Sequence, residues 1–234
     1  DTSTMTMSFD ELRKKYEALY GAMKEWHLVA PRAHRGHGLD HDVTVAMIAV
    51  RIAPDNRTAE LAFVAGLLHS LDRTVERGNK MAVLEKLTEM VQLLPSDVTS
   101  DEKANIVRSV EGHSDLNSPD QSVLQQTLMD ADRLANLMAL VVIRAGQFKS
   151  DIPAVEFEFI ETANPGSTYY QSASVLDDLR GNMSQLGEGQ VGYMEQLRLP
   201  KAIELGRYYH GRLNLIVEMI REDHRDLGLA GVKL

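Results

Sequence analysis

Four ionisable residues stand where the helical pattern of the sequence predicts inward-facing side chains: His41, His69, His113 and Asp130. His41, for example, shares a helical face with Val45, and His69 and His113 follow apolar residues at helical spacing. Asp130 lies between Thr127 and Leu134 on a stripe that continues through apolar residues. Burying one such group without a polar partner costs about 2–7 kcal/mol. Four of them from separate segments are most simply explained if their side chains converge. Three imidazoles and a carboxylate form a typical nitrogen and oxygen site for a divalent transition metal.

Each of these residues has a simpler interpretation when it is taken alone. A single histidine on an apolar face is more often a hydrogen-bonded core residue than a metal ligand. A buried aspartate is often a helix cap. Helical periodicity therefore leaves the metal site and these structural roles as open alternatives.

The elements that must position these residues are predicted to be helices almost throughout. Capping boxes, prolines and apolar periodicity predict helices over about 8–29, 40–53, 58–71, 81–94, 99–113, 118–148, 172–186 and 200–226. The helix that carries Leu61 to Leu71 is apolar nearly all round and belongs at the centre of the domain. One segment differs, because Val155, Phe157 and Phe159 alternate with glutamates and suggest a short strand or hairpin near 155–160. The predicted fold class is all-α.

Composition narrows the possible functions. The chain has 234 residues and no cysteine, which excludes disulfides, thiolate metal sites and a cysteine nucleophile. Its net charge of −9 argues against broad nucleic-acid binding, since phosphate contacts need lysine and arginine. A small phosphorylated substrate stays compatible with this charge, because a bound cation can reverse the local field. We expect no membrane span and, in the absence of a secretory signal pattern, a cytoplasmic location.

The motifs resemble those of a known superfamily. The segment Gly38-Leu39-Asp40-His41-Asp42 resembles the first motif of HD domains, which are metal-dependent phosphohydrolases. Leu67-Leu68-His69-Ser70-Leu71-Asp72 is similar to the family's apolar-leucine-His-Asp motif, and Met129-Asp130-Ala131-Asp132-Arg133-Leu134 to its downstream aspartate motif. The segment from Ile106 to His113 resembles the helix between these two motifs, which in many members ends with a further histidine. Order and spacing agree over about residues 20–145.

This resemblance implies a fold, a cofactor and a reaction. The fold would be a single HD-like helical domain over 1–234, with core motifs at about 20–145 and a C-terminal helical extension at about 170–234. His41, His69 and Asp130 would be metal ligands, with Asp130 and His69 also catalytic. The cofactor would be a divalent ion, with Mn, Mg, Fe, Ni and Zn not distinguishable. The chain would hydrolyse a small phosphorylated compound, with nucleotides among the candidates, and could form a homo-oligomer.

A further set of residues would support the ligands or contact the substrate: His113, Ser70, Asp72, Arg73 and His37. Arg73 could hold a phosphate, although a solvated surface arginine is an equally good interpretation. His37, like His34, could reach a bound phosphate, and the alternative is an ordinary loop histidine.

One departure from the family pattern bears on activity. Ser70 follows His69 where the family has the aspartate that gives it its name. A serine hydroxyl is a weak, neutral ligand and cannot bridge two metals as a carboxylate can. Asp72, Asp40 or Asp42 could compensate, but Asp72 would point about 200° around a helix from Ser70. The alternative function is therefore an HD-fold ligand-binding or regulatory protein with weakened catalysis. A purely structural role ranks last, because it leaves the inward polar residues unexplained.

Overall fold

The computed structural model describes residues 7–32 and 36–234, and every regular element in these ranges is a helix. The α-helices are α1 (Phe9–Lys15), α2 (Glu17–Val29), α3 (Leu39–Ile52), α4 (Asn56–Leu68), α5 (Lys80–Val91), α6 (Ser100–Glu111), α7 (Val123–Ala135), α8 (Val141–Phe148), α9 (Val175–Met183), α10 (Tyr193–Gln196) and α11 (Pro200–Asp226). Two 3₁₀ helices lie at His69–Arg73 and Phe157–Phe159. The all-α prediction is confirmed.

Helix boundaries differ from the predicted ones where local hydrogen bonds interrupt the pattern. The predicted helix over 118–148 is two helices, α7 and α8. The turn at Ser118 closes on Gln121, whose side chain accepts from the Ser118 amide at 3.1 Å. The helix itself begins later, where the Ser122 hydroxyl accepts from the Gln125 amide at 3.1 Å. The capping signal at 118–121 therefore makes one isolated turn before the helix.

The strand or hairpin suggested near 155–160 is wrong. Phe157–Phe159 is a single 3₁₀ turn, and the described residues contain no strand. The backbone carbonyls of Phe159 and Ile160 accept hydrogen bonds from the Arg180 guanidinium. Ile160 is fully buried among apolar residues of α8, α9 and α11. The segment near 155–160 is therefore irregular, and the buried Ile160 and the contacts with Arg180 hold it in the second unit.

The chain divides into two compact units. The first contains the described residues up to Asp132 together with Arg198–Lys201, and the second contains Arg133–Leu197 and Ala202–Leu234. This division does not test the prediction of a single domain over 1–234, which stays a prediction. In the second unit, a core of nine buried residues forms around α8, α9 and α11: Leu137, Val141, Ala145, Ile160, Leu176, Leu179, Met183, Leu213 and Val217.

The first unit is centred on α4, as its apolar sequence predicts. Residues 61–68 are all buried, and α4 packs against α3 and α6. A Cβ on Gly66 would lie 2.5 Å from the Cα of Ala46, so only glycine permits this approach of α4 to α3. The close packing brings His41, near the start of α3, beside His69, which follows the end of α4.

None of the helices in the described residues combines the length and the hydropathy that a membrane span requires.

Candidate metal centre

His41 and His69 meet in the interior of the first unit. Each residue is only 2% exposed, which confirms that their faces point inward. Their Nε2 atoms are 3.2 Å apart, and the ring centroids are 5.0 Å apart in an edge-to-face arrangement. The two imidazoles therefore direct the same ring nitrogen toward one point.

The orientation of His69 is fixed by the end of its own helix. Its Nδ1 lies 2.7 Å from the Gly66 carbonyl oxygen, which can only accept, so Nδ1 carries the proton. Nε2 of the neutral ring is then left with a lone pair. Burial lowers the pKa of His69, and this effect is opposed by the nearby carboxylates Asp42 and Asp132. A buried imidazole that stays neutral is the form that binds a metal.

Asp132 completes the group. Its Oδ1 lies 3.5 Å from Nε2 of His41 and 3.6 Å from Nε2 of His69. One donor atom from each of His41, His69 and Asp132 lies within 4.8 Å of the others. Burial acts to raise the pKa of Asp132, but the hydrogen bond from His41 and the surrounding imidazoles hold it well below the usual value. The carboxylate is therefore ionised at neutral pH.

The dimensions of this trio fit a transition-metal ion. A metal about 2.0–2.2 Å from each nitrogen and oxygen ligand places neighbouring ligand atoms roughly 3 to 3.5 Å apart. The three separations of 3.2, 3.5 and 3.6 Å are close to that range. Two imidazoles and one carboxylate also suit Zn, Mn, Fe or Ni, so the donor set does not select a metal.

Asp130, the aspartate assigned to the metal from sequence, is held elsewhere. It is fully buried, as predicted, but its Oδ2 accepts hydrogen bonds from the backbone amides of Arg198 and Leu199 at 3.0 and 2.8 Å. These amides directly precede α11, so Asp130 ties α7 to the chain entering that helix. Among the described residues, the geometry brings Asp132 and not Asp130 to the two histidines. A catalytic role for Asp130 stays an untested prediction.

Ser70 lies in the polar site and not against apolar side chains. The residue is 2% exposed, and its hydroxyl is 3.3 Å from Nε2 of His69. It also interacts with the carboxylate of Asp42, a residue of α3 that is fully buried. Asp42 Oδ1 faces Nδ1 of His69 at 3.4 Å, and its Oδ2 is 2.8 Å from Nε2 of His27. Burial raises the pKa of Asp42, opposed by its contacts with His27, His69 and Ser70.

Two further histidines border the trio. The ring of His113 is 5.6 Å from that of His69, and the ring of His37 is 5.4 Å from that of His41. His113 is half-buried, and its Nδ1 lies 2.6 Å from the Val110 carbonyl, the arrangement that His69 makes with Gly66. His113 thus also has its Nε2 free of the helix backbone. Its place beside His69 agrees with the predicted supporting position, while its role is untested.

The remaining predicted residues lie toward the surface. The side chains of Asp72 and Arg73 are 40% and 49% exposed, and they face each other at 3.7 Å. Their predicted roles, including a phosphate contact from Arg73, stay predictions. His34 lies outside the described residues.

The sequence did not predict that Asp132, Asp42 and His27 gather around the two histidines, although Asp42 was among the aspartates that could compensate for Ser70. The aspartate motif holds two carboxylates two residues apart, and helical periodicity favoured the first one. Asp42 stands in the first turn of α3, where an acidic residue is expected for the helix dipole alone. His27 carries no motif signal, since its pairing with Asp42 joins two separate helices.

Comparison with known proteins finds a family model and two solved structures that resemble this chain. Residues 38–137 match the family model of the HD domain. A structural-genomics target from Lactobacillus plantarum superposes with a TM-score of 0.65 at 18% identity, covering 91% of this chain and 98% of that chain. Bacillus subtilis YpgQ superposes with a TM-score of 0.57 at 15% identity, covering 92% and 96%. These identities are low, so the likeness shows the fold alone.

No curated protein matches the chain by sequence. The matched segment nevertheless contains all three motifs on which the resemblance depends, together with the trio of His41, His69 and Asp132. Residues 38–137 of this chain are therefore similar to an HD domain, with serine in place of the aspartate that follows the second motif histidine.

Proposed function

We propose that this protein is a metal-dependent phosphohydrolase that acts on a small phosphorylated compound, with nucleotides the first class to test. One observation carries the proposal: His41, His69 and Asp132 gather their donor atoms within 4.8 Å inside the segment that matches the HD domain. Burying two imidazoles beside a partly buried carboxylate is costly without a compensating ligand, and a divalent cation would supply one.

Each residue of the trio has a distinct part in holding the ion. His41 and His69 would bind through Nε2, and burial keeps His69 neutral and thus able to bind. Asp132 would contribute the anionic oxygen, since its pKa lies well below the usual value. When bound, the ion would polarise a phosphoryl oxygen and lower the pKa of a coordinated water.

The charge of the metal-loaded trio is compatible with an anionic substrate even though the chain is acidic overall. A divalent ion with the single negative charge of Asp132 leaves the trio net positive. His113 and His37, at the border of the trio, could donate hydrogen bonds to a phosphate. The homo-oligomer and the cytoplasmic location are kept as predictions.

A second candidate function rests on Ser70. With a neutral hydroxyl where the family has a carboxylate, the centre has one anionic ligand fewer and should hold a divalent ion less tightly. An HD-fold protein that binds a phosphorylated ligand without turning it over would have this composition. The two candidates differ in turnover and share the binding site.

Metal content and turnover test the proposal. Protein purified without chelator is analysed for bound metal, then assayed with Mn²⁺ against phosphate esters and a panel of nucleotides. We expect bound metal near one per chain and release of inorganic phosphate, both lost in His41→Ala. His210→Ala, which removes a half-buried histidine of α11, is the matched control and should leave both unchanged.

The outcomes separate the candidates. Bound metal with nucleotide binding but no phosphate release would favour the binding protein. An absence of metal in the wild type, together with no response to added Mn²⁺ in thermal melts, would contradict both, because a ligand of the folded state raises the melting temperature.

A further inference from the structure

Asp42 is a buried carboxylate that the metal trio does not use directly. It is fully buried in the first turn of α3, directly after His41. An ionised carboxylate is among the most costly groups to bury unless its oxygens are paired. The neighbours of Asp42 must therefore offset the cost of burying its charge, and their identity indicates what the carboxylate does.

The partners of Asp42 lie on two sides. On one side, His27 of α2 holds Oδ2 at 2.8 Å, a strong contact of normal hydrogen-bond length. On the other side, Oδ1 faces Nδ1 of His69 at 3.4 Å, and among the described residues Oδ1 has no hydrogen bond of ordinary length. The carboxylate is thus anchored at one oxygen and directed with the other toward the ring of a candidate ligand.

The contacted nitrogen of His69 is the one that points away from the trio. Nδ1 carries the proton that is shared with the Gly66 carbonyl at 2.7 Å, while Nε2 faces His41 and Asp132. A carboxylate behind a ligating imidazole fixes the ring and raises the basicity of the nitrogen that binds the metal. Asp42 has the position for this effect.

Asp42 also lies beside the position where the family carboxylate is missing. The Ser70 hydroxyl interacts with the Asp42 carboxylate and lies 3.3 Å from Nε2 of His69. The family has a negative group at position 70 of the second motif. In this chain, position 70 is serine, and a negative group, Asp42, lies nearby on α3. The two positions serve the same imidazole from different sides.

We propose that Asp42, anchored by His27, is a positioning residue that prepares His69 for metal binding and takes the place of the carboxylate absent at Ser70. This inference rests on the proposed metal-binding function. It adds that positions 42 and 70 are alternatives for one carboxylate, so their contributions depend on each other.

Calorimetric titration with Mn²⁺ alone tests the inference on the full chain. We expect the Kd of Asp42→Asn to rise about 10- to 100-fold above that of the wild type, the range found when such supporting partners are removed. Asp101→Asn is the matched control, because it removes the same charge from an exposed position in the first turn of another helix, α6. Its Kd should stay within about twofold of the wild type.

A double-mutant cycle distinguishes positioning from a merely structural role. We expect Ser70→Asp to lower the Kd of Asp42→Ser by at least fivefold more than it lowers the Kd of the wild type, because only the first change restores a missing carboxylate. Equal improvement in both backgrounds would show that the two positions are independent, which would overturn the inference.

Other results also decide the matter. If the wild type binds Mn²⁺ and Asp42→Asn binds it equally well, the inference fails while the proposed function stands. If the wild type binds no metal, both fail. If Asp42→Asn does not fold, His27→Leu replaces it, since leucine has no donor and the change removes the anchor while keeping the carboxylate. An unchanged Kd in folded His27→Leu would then overturn the inference.

Discussion

Asp177 in the second unit and Asp132 in the first unit both lie in polar clusters, yet their contacts are of different kinds. Asp177 is fully buried, and its oxygens accept from the Asn164 amide at 3.0 Å, the Ser167 hydroxyl at 2.8 Å and Arg180 at 2.7 Å. Asp132 faces His41 and His69 at 3.5 and 3.6 Å. The first cluster has donors at normal hydrogen-bond length to both carboxylate oxygens, whereas the two ring nitrogens of the second face the carboxylate at longer distances.

This difference separates a structural polar cluster from a candidate site. Donors that match every carboxylate oxygen at normal length leave nothing for a ligand to supply. Ring nitrogens that face one another and a carboxylate at longer distance leave lone pairs that a cation can accept. Burial alone does not make the distinction, since His41 and His69 are nearly as buried as Asp177.

The largest expected effect is on stability and falls in the second unit. Asp177→Ala should lower the free energy of unfolding by about 3–5 kcal/mol, because it removes the charged partner of Arg180 and the acceptor of the Asn164 amide and the Ser167 hydroxyl. Urea denaturation measures the change. The neighbouring Asp178→Ala should cost less, since Asp178 is only partly buried. Equal losses in the two variants would contradict the structural interpretation of Asp177.

The next effect tests the cluster around Asp132 in the first unit. Ser70→Asp adds a second carboxylate beside Asp42, so the metal-free protein should lose about 2–3 kcal/mol of stability. Added Mn²⁺ should raise the melting temperature of this variant more than that of the wild type. Ser114→Asp is the matched control, because Ser114 follows His113 in the same way but is exposed. A destabilised Ser70→Asp protein that shows no metal-dependent shift would remove Ser70 from the site.

A smaller effect is expected at Asp130. Asp130→Ala removes the acceptor of the Arg198 and Leu199 amides, which are half-buried, so the expected loss is about 1–2 kcal/mol. Thermal melts monitored by circular dichroism measure it, with the exposed Asp120→Ala as the control. A loss no larger than that of the control would show that the contact with the start of α11 contributes little.

The sequence was informative where a helix has one buried face. The apolar run of α4 predicted its central place, and the stripe of α3 predicted that His41 points inward; both predictions are confirmed. The bounds of α11 were also predicted, because Pro200 marks its start.

Sequence reasoning chose Asp130 and not Asp132 as the metal ligand, because helical periodicity is a poor guide on α7, which is buried on more than one face. Residues 127–131 and 133–135 are all buried, so a 3.6-residue period does not single out one side. The role of Asp42 depends on the packing of α2 and α4 against α3, which the sequence pattern does not specify. The segment near 155–160 was mistaken for a strand because its apolar residues alternate, while its backbone partners come from a distant arginine.

Metal binding by two isosteric variants of α7 tests the central claim most directly. In Asp132→Asn the anionic ligand is lost, and we expect bound metal, measured by elemental analysis and Mn²⁺ titration, to fall at least tenfold in a protein that stays folded. In Asp130→Asn the amide oxygen can still accept from Arg198 and Leu199, so metal content should match the wild type. The reverse result, with metal lost in Asp130→Asn and kept in Asp132→Asn, would contradict the assignment of His41, His69 and Asp132 as the metal centre.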